Sequence, residues 1–297
     1  MRLKYRYATV MEKDTGKSKK IINILEKYSI KYKYEEENSI LGFYWSLIFN
    51  LYEDFASFKE IQKKIKSYGL LEQISTEFDK EDMDNAEWYV IYALPCQYPQ
   101  PEEDWEYVKL TFDTDNWCPY CNVGKIQNKP YKLMKEPKQK GNQFWGLFWE
   151  NDAIFCREEI KNILEREKIQ GIHFIQPVRK NNTLIENYYQ LIIETVLDKG
   201  FIQNNTESII CNRKNYDKKK YKLDLKYCGR VKFAHNQKGG YMFEKRIFFS
   251  KSDFCKSNEY FGSGWNADRL NIISKKVYKI IIENKLKGLK IAPIFHE

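Results

Sequence analysis

Ile154-Phe155-Cys156-Arg157-Glu158-Glu159-Ile160-Lys161-Asn162-Ile163-Leu164, followed by Lys168-Ile169-Gln170-Gly171-Ile172-His173-Phe174 and Pro177-Val178, decides the fold, because the chain repeats it. Near the C-terminus stand Ile272-Ile273-Ser274-Lys275-Lys276-Val277-Tyr278-Lys279-Ile280-Ile281, then Lys285-Leu286-Lys287-Gly288-Leu289-Lys290-Ile291, then Pro293-Ile294. A shift of 117 residues lays Ile160 on Val277, Ile163 on Ile280, Ile169 on Leu286 and Gly171 on Gly288. Each copy reads as an amphipathic helix, a glycine at the C′ position where positive φ is needed, and a short strand. Upstream, Trp88-Tyr89-Val90-Ile91-Tyr92-Ala93-Leu94 and Tyr189-Gln190-Leu191-Ile192-Ile193-Glu194-Thr195-Val196 occupy equivalent places as strands, each followed by cysteines and a basic, aromatic ribbon. The pattern predicts two related αβ units, residues 83–182 and 183–297, about a pseudo-twofold axis.

Residues 1–82 read differently. Leu3, Tyr5 and Tyr7 alternate as in a short strand, while Ile21, Ile22, Leu25 and Tyr28 fall at helical spacing. From Ser39 to Tyr68 the residues Phe43, Leu47, Leu51, Phe55, Phe58, Ile61 and Ile65 share roughly one helical face, with Gly69 as a stop. The expected fold class is therefore α+β: a mainly helical N-terminal lobe, then two related αβ units with a shared zinc-knuckle-like centre.

The 297 residues are 42% hydrophobic and 31% charged, enough apolar side chain to exclude a disordered or low-complexity chain. No apolar run reaches membrane-spanning length and none resembles a secretory leader, so the expectation is a soluble, cytoplasmic protein with no membrane partner. The net charge of +9 is unevenly spread. Residues 72–107 carry eleven acids and one Lys, whereas residues 209–256 carry fourteen basic residues and four acids, and residues 125–140 six Lys and one Glu. The basic stretches read either as a surface for an anionic partner or as solvated lysines on hairpins.

Seven cysteines with no leader argue against a disulfide framework. Trp117-Cys118-Pro119-Tyr120-Cys121-Asn122-Val123-Gly124-Lys125 is a C-x-x-C knuckle, whose two thiolates can both reach one Zn²⁺. Two further ligands are needed, and the repeat points to Cys211 and Cys228. They stand seventeen residues apart, so the second knuckle is split by a Lys-rich segment, residues 213–226. Bound structural zinc and a metal-free remnant of such a site both fit, with His235 as a spare ligand. Cys96, Cys156 and Cys255 read as core thiols.

Catalytic signatures are missing. With only His173, His235 and His296, no H-E-x-x-H or H-x-E…C-x-x-C pairing occurs. Thr15-Gly16-Lys17-Ser18 lacks the earlier glycine of a phosphate loop, and Gly262-Ser263-Gly264 reads as an insertion tip. An enzyme is not expected.

The knuckle, the helix and the Gly-Ile-x-Phe-x-x-Pro-Val ending resemble the bacterial double-CxxCG-motif proteins, over residues 85–297. Cys118, Cys121, Cys228 and Gly229 match motif positions; Asn122 stands where the first motif has glycine. The resemblance implies two knuckles sharing one zinc and an immunity-type role, in which the chain binds and blocks a cognate protein toxin without turnover. Trp88, Tyr98, Trp105 and Tyr107, interleaved with the acids of 72–107, are then the candidate contacts for a basic toxin. The alternative is a zinc-ribbon nucleic-acid binder. It would stack bases on Phe144, Trp145, Phe148 and Trp149 and on Tyr216, Tyr221, Tyr227, Phe233, Tyr241 and Phe243.

Overall fold

Trp45, Leu47, Phe49 and Leu51 are each 2% exposed or less, while Ser46, Ile48 and Asn50 between them are not buried. That period of two makes Gly42–Tyr52 a strand and overturns the helix expected there. Phe43, Leu47 and Leu51 are four apart, a spacing that satisfies a helical face and a strand face alike. The aromatic residues Trp45 and Phe49 discriminate, since only a strand returns to the same face after two residues.

The computed structural model describes residues 1–11, 16–39, 42–137, 141–203, 206–211, 228–235, 238–249, 251–262 and 266–297. The Lys-rich segment 213–226, Tyr216, Tyr221, Tyr227, Thr15, Ser263 and Gly264 lie outside the described residues. The chain divides into two compact units, Met1–Asp84 with Asn236–Gly240, and Asn85–His235 with Tyr241–Glu297. In the first, strands β1 (Arg2–Met11), β2 (Tyr32–Ser39), β3 (Gly42–Tyr52) and β4 (Leu71–Glu77) form an antiparallel sheet in the order β2-β3-β1-β4. Helices α1 (Lys17–Lys27) and α2 (Phe58–Lys66) bury Ile21, Leu25, Ile61 and Ile65 against it, and a short α3 (Lys80–Asn85) follows. The N-terminal lobe is thus a helix-backed sheet and not a helical lobe.

The second unit continues with β5 (Trp88–Ala93), β6 (Pro95–Gln97), α4 (Glu106–Thr111), β7 (Phe112–Asp113), β8 (Ile126–Gln127) and β9 (Lys132–Leu133). Then come β10 (Phe144–Leu147), β11 (Glu150–Arg157), α5 (Glu158–Arg166), β12 (Ile172–Ile175), β13 (Val178–Arg179) and β14 (Tyr188–Ile193). The last part holds β15 (Ser208–Ile210), β16 (Val231–Phe233), β17 (Tyr241–Phe243), β18 (Phe254–Phe261), β19 (Asp268–Ser274), α6 (Lys275–Glu283) and β20 (Leu289–His296). The chain is mostly β, and the six α-helices of the described residues are all short. None is long and apolar enough to cross a membrane.

Two sheets carry the second unit, a five-stranded one ordered β12-β14-β11-β10-β6 and a curled seven-stranded one ordered β15-β16-β18-β19-β5-β20-β17. Their registers correspond. Ile154 pairs with Leu191 and Arg157 with Tyr188, as Asn271 pairs with Ile91 and Ser274 with Trp88. Likewise Ile172 pairs with Ile193 and Ile175 with Gln190, as Leu289 pairs with Ala93 and Ala292 with Val90. One shift of 117 and another of 100, in the opposite direction, generate the second set from the first. The leading strands are therefore exchanged: β5 of the first half lies between β19 and β20 of the second, and β14 of the second lies between β11 and β12 of the first. Residues 83–182 and 183–297 do not form separate bodies, because a cut between them would split both sheets. Tyr89, Val90 and Ile91 of β5 are at most 1% exposed, and each large apolar side chain so buried contributes about 1.5–3 kcal/mol.

The two repeat glycines serve this exchange and not the helix ends. The left-handed residues that close α5 and α6 are Lys168 and Lys285, both at φ 52°. Gly171, at φ +88°, would place a Cβ 2.3 Å from the Phe254 carbonyl oxygen, and Gly288, at φ +104°, 1.9 Å from that of Phe144. The obstacle is backbone on each side, so nothing can rotate away. Gly288→Ala is expected to cost about 3 kcal/mol or more, combining the positive-φ penalty with overpacking. Urea denaturation would read it as a lowered midpoint.

Candidate metal centre and the buried charge cluster beside it

Both knuckles are built by the same backbone device. The Cys118 amide donates to the Val123 carbonyl at 2.8 Å, and the Cys211 amide to the Arg230 carbonyl at 2.9 Å. After the last cysteine of each, Asn122 and Gly229 take left-handed conformations at φ 61° and 60°, and Gly124 follows at φ 96°. Arg230 ties the knuckles together: its Nη1 donates to the carbonyls of Asn116, at 2.8 Å, and Val123, at 2.9 Å. Asn122 Nδ2 donates in turn to Asn266 Oδ1 at 2.9 Å.

The result brings Cys118, Cys121, Cys211 and Cys228 together, all four sulfurs within 4.8 Å of one another. Cys118 Sγ is 3.8 Å from Cys211 Sγ, and Cys121 Sγ is 3.8 Å from Cys228 Sγ. A tetrahedron with metal–sulfur bonds of about 2.3 Å has edges of roughly 3.8 Å. Cys118, Cys121 and Cys211 are buried, Cys228 is partly so, and Val123 and Ala267 pack around them. The Cys121 thiol titrates above its usual range through the hydrogen bond to Cys118 and through burial. Burial first, and then the neighbouring Cys118, push Cys211 up to about 12. Thiols so placed ionise readily only against a cation. The four cysteines thus form a site that could bind a metal.

His235 is not part of it. The ring is partly buried, its Nδ1 lies 3.3 Å from Tyr241 Oη, and desolvation lowers its pKa. His173 Nδ1 is 2.8 Å from Glu194 Oε1 at the surface, and His296 ends β20 in register with Phe243. Cys156 and Cys255 are fully buried in strands, while Cys96 is partly buried against the β10–β11 cluster.

The candidate partner residues separate. Tyr98 is 37% exposed and Trp105 partly exposed. Tyr107 is fully buried, its hydroxyl donating to Glu150 at 2.7 Å, and Trp88 stacks on Phe248 at 4.9 Å. These two rings offer a partner little or nothing. Among the described rings of the nucleic-acid alternative, Phe144, Trp145, Tyr241 and Phe243 are at most 5% exposed and Phe233 packs against the same cluster as the last two, whereas Phe148 and Trp149 are each 37% exposed.

A second cluster was not foreseen. Glu150, Asp152 and Asp268 bring carboxylate oxygens within 4.8 Å of one another. Glu150 is wholly buried and accepts from Tyr131 Oη at 3.0 Å, from Tyr107 and from Lys125 Nζ, whose side chain is itself only 7% exposed. Lys256 Nζ donates to Asp152 at 2.6 Å, and Asn151 Nδ2 to Asp268 at 3.0 Å. The donors already occupy the carboxylates, so the arrangement is a buried ion network. It borders a cavity of about 230 Å³. The repeat holds its one sequence signal, since the shift of 117 lays Asn151 on Asp268, and these equivalents touch. No sequence pattern joins Lys125 to it.

Burial opposes ionisation at both aspartates. Lys256 offsets it at Asp152, whose pKa is lowered; at Asp268 burial dominates, with the nearby Asp152 charge adding to it, and the pKa is pushed up to about 8. In the unfolded chain an Asp ionises near 3.9. Between about pH 4 and pH 8 the folded state therefore holds a proton that the unfolded state has lost, and Asp268 costs stability as pH rises across that window. Asp268→Asn should remove a slope of up to about 1.4 kcal/mol per pH unit there, leaving the variant more stable than wild type at pH 8. Denaturant midpoints at pH 5 and pH 8 would show it.

A scan of protein-family models gives no match to this chain, and a comparison with curated proteins gives none.

Proposed function

We propose that the chain is a non-catalytic binding protein whose two exchanged halves are fastened by one structural zinc, and that it acts by occluding a partner protein, as an immunity-type protein does to a toxin. The observation that carries this reading is the closed set of four thiols, two from each half, at separations matching a tetrahedral edge. Four protein ligands leave no open position for substrate, which is the mark of a structural centre. Zinc fits four thiolates better than the hard divalent cations, which prefer oxygen. The immunity role rests on the resemblance of the knuckles and on the exposed aromatic surface beside the acids of residues 102–106. The nucleic-acid alternative is weakened by the burial of four of its stacking rings, Phe144, Trp145, Tyr241 and Phe243.

Two measurements test it. Elemental analysis of protein purified without chelator is expected to give one zinc per chain, and less than half of that would remove the metal. Co-expression with a candidate partner toxin should restore growth in proportion to complex formed. A recovered growth rate without a complex would argue against stoichiometric blocking.

A further inference from the structure

We propose that the ladder of rings Phe148–Tyr98–Trp149–Trp105 is the docking site, and that it takes an arginine-bearing basic segment of the partner protein. The inference rests on the binding-protein reading above and names the partner's chemistry. Phe148, Tyr98 and Trp149 are each 37% exposed, an unusual concentration of aromatic surface on one small area. Tyr98 stacks on Phe148 at 4.6 Å and meets Trp149 at 4.6 Å; Trp149 meets Trp105 at 5.6 Å. Beneath them Tyr107, 6.3 Å from Trp149, is fixed by its hydroxyl on buried Glu150, so the ladder stands on a rigid footing.

Two backbone observations point to use. Trp105 and Trp149 have φ of 60° and 70°, the left-handed region that bulky residues avoid. Such strain persists where the surroundings enforce it and concentrates at functional positions. The repeat sharpens the point, since the shift of 117 lays Trp149 on Asn266, a residue type that tolerates this conformation well. Phe148-Trp149 forms the tight turn between β10 and β11, whereas the other copy connects β18 to β19 by a longer loop. The first copy thus places a large ring where a small polar residue would fold more easily, and it leaves that ring half in solvent.

Charge selects the occupant. Glu102, Glu103 and Glu106 are exposed and flank Trp105 in the chain. A guanidinium group can lie flat on an indole or phenol face and still donate to carboxylates at its edge, a combination lysine matches less well. Aromatic anchors with an acidic rim suit a basic protein face and repel a phosphate backbone.

The test uses the full-length, metal-loaded chain and hexa-arginine as the probe, followed by tryptophan fluorescence and calorimetry at low salt, with hexa-glutamate and oligo-deoxythymidine as comparisons. Hexa-arginine is expected to bind and the other two not. Trp149→Asn and Tyr98→Ala should each raise its Kd at least tenfold, the triple change of Glu102, Glu103 and Glu106 to Gln should do likewise, and Phe249→Ala, at an exposed ring that is not part of the ladder, should leave it unchanged. A thermal midpoint for each variant separates lost binding from lost folding. Hexa-arginine binding that ignores Trp149 and Tyr98, or preference for the oligonucleotide, overturns the proposal. Partner neutralisation that survives Trp149→Asn would defeat this surface alone. Hexa-arginine binding intact while every partner test fails would defeat the immunity role alone.

Discussion

Replacing Cys121 by serine is expected to abolish stoichiometric zinc and to loosen the whole second unit. A serine hydroxyl is a poor zinc ligand at neutral pH, and three thiolates leave the site open to water. A metal held by these thiols would bind only the folded arrangement, because Cys118 and Cys121 come from one half and Cys211 and Cys228 from the other. Its binding energy is therefore folding energy. With free zinc at a thousand times Kd the folded state gains about 4 kcal/mol, and the variant should lose that amount. Hydrogen exchange should show the loss in β10, β11 and β14, and chelator should reproduce it in wild type. A Cys121→Ser protein that keeps its zinc and its denaturation midpoint would exclude the centre as a fastening.

The second large effect is expected at Lys125. Its Nζ is the only cation bonded to the wholly buried Glu150 among the described residues. Lys125→Met removes the charge, together with the ammonium's contact 4.6 Å over the Phe112 ring, and keeps most of the aliphatic stem. What remains is a buried carboxylate served by two phenol hydroxyls. Breaking a buried pair in this way costs about 3–5 kcal/mol. Adding Glu150→Gln should recover most of the loss, since a neutral amide needs no counter-ion. Urea denaturation of both variants distinguishes this from simple loss of packing, which the second change would not rescue.

The immediate environment of the cysteines was legible because repetition carries positional information. Once Gly171 is laid on Gly288, the knuckle at Cys118 and Cys121 demands a counterpart, and Cys211 with Cys228 is the available pair despite the residues inserted between them. Arg230 and the Lys125–Glu150–Asp152–Asp268 network were not legible. Their members are scattered over more than 140 residues, and nothing local marks a lysine that will be buried. The N-terminal lobe misled for a different reason. A spacing of four is shared by both regular structures, so Phe43, Leu47 and Leu51 were equally at home in a helix; packing of Trp45 and Phe49 against α1 and α2 chose the strand.

By itself the sequence determined that the later part of this chain carries two similar helix–strand endings, and it singled out Cys118, Cys121, Cys211 and Cys228 as candidates for one metal site. Local periodicity and spacing suffice for that, since each depends on neighbours a few residues apart. Only the tertiary structure decided that β5 and β14 change places, that Gly171 and Gly288 are needed where a backbone carbonyl passes, and that Trp149 and Tyr98 meet. Those outcomes depend on which distant strand wins a place in a sheet. That competition is settled by burial over the whole unit, to which no single stretch of residues holds the key.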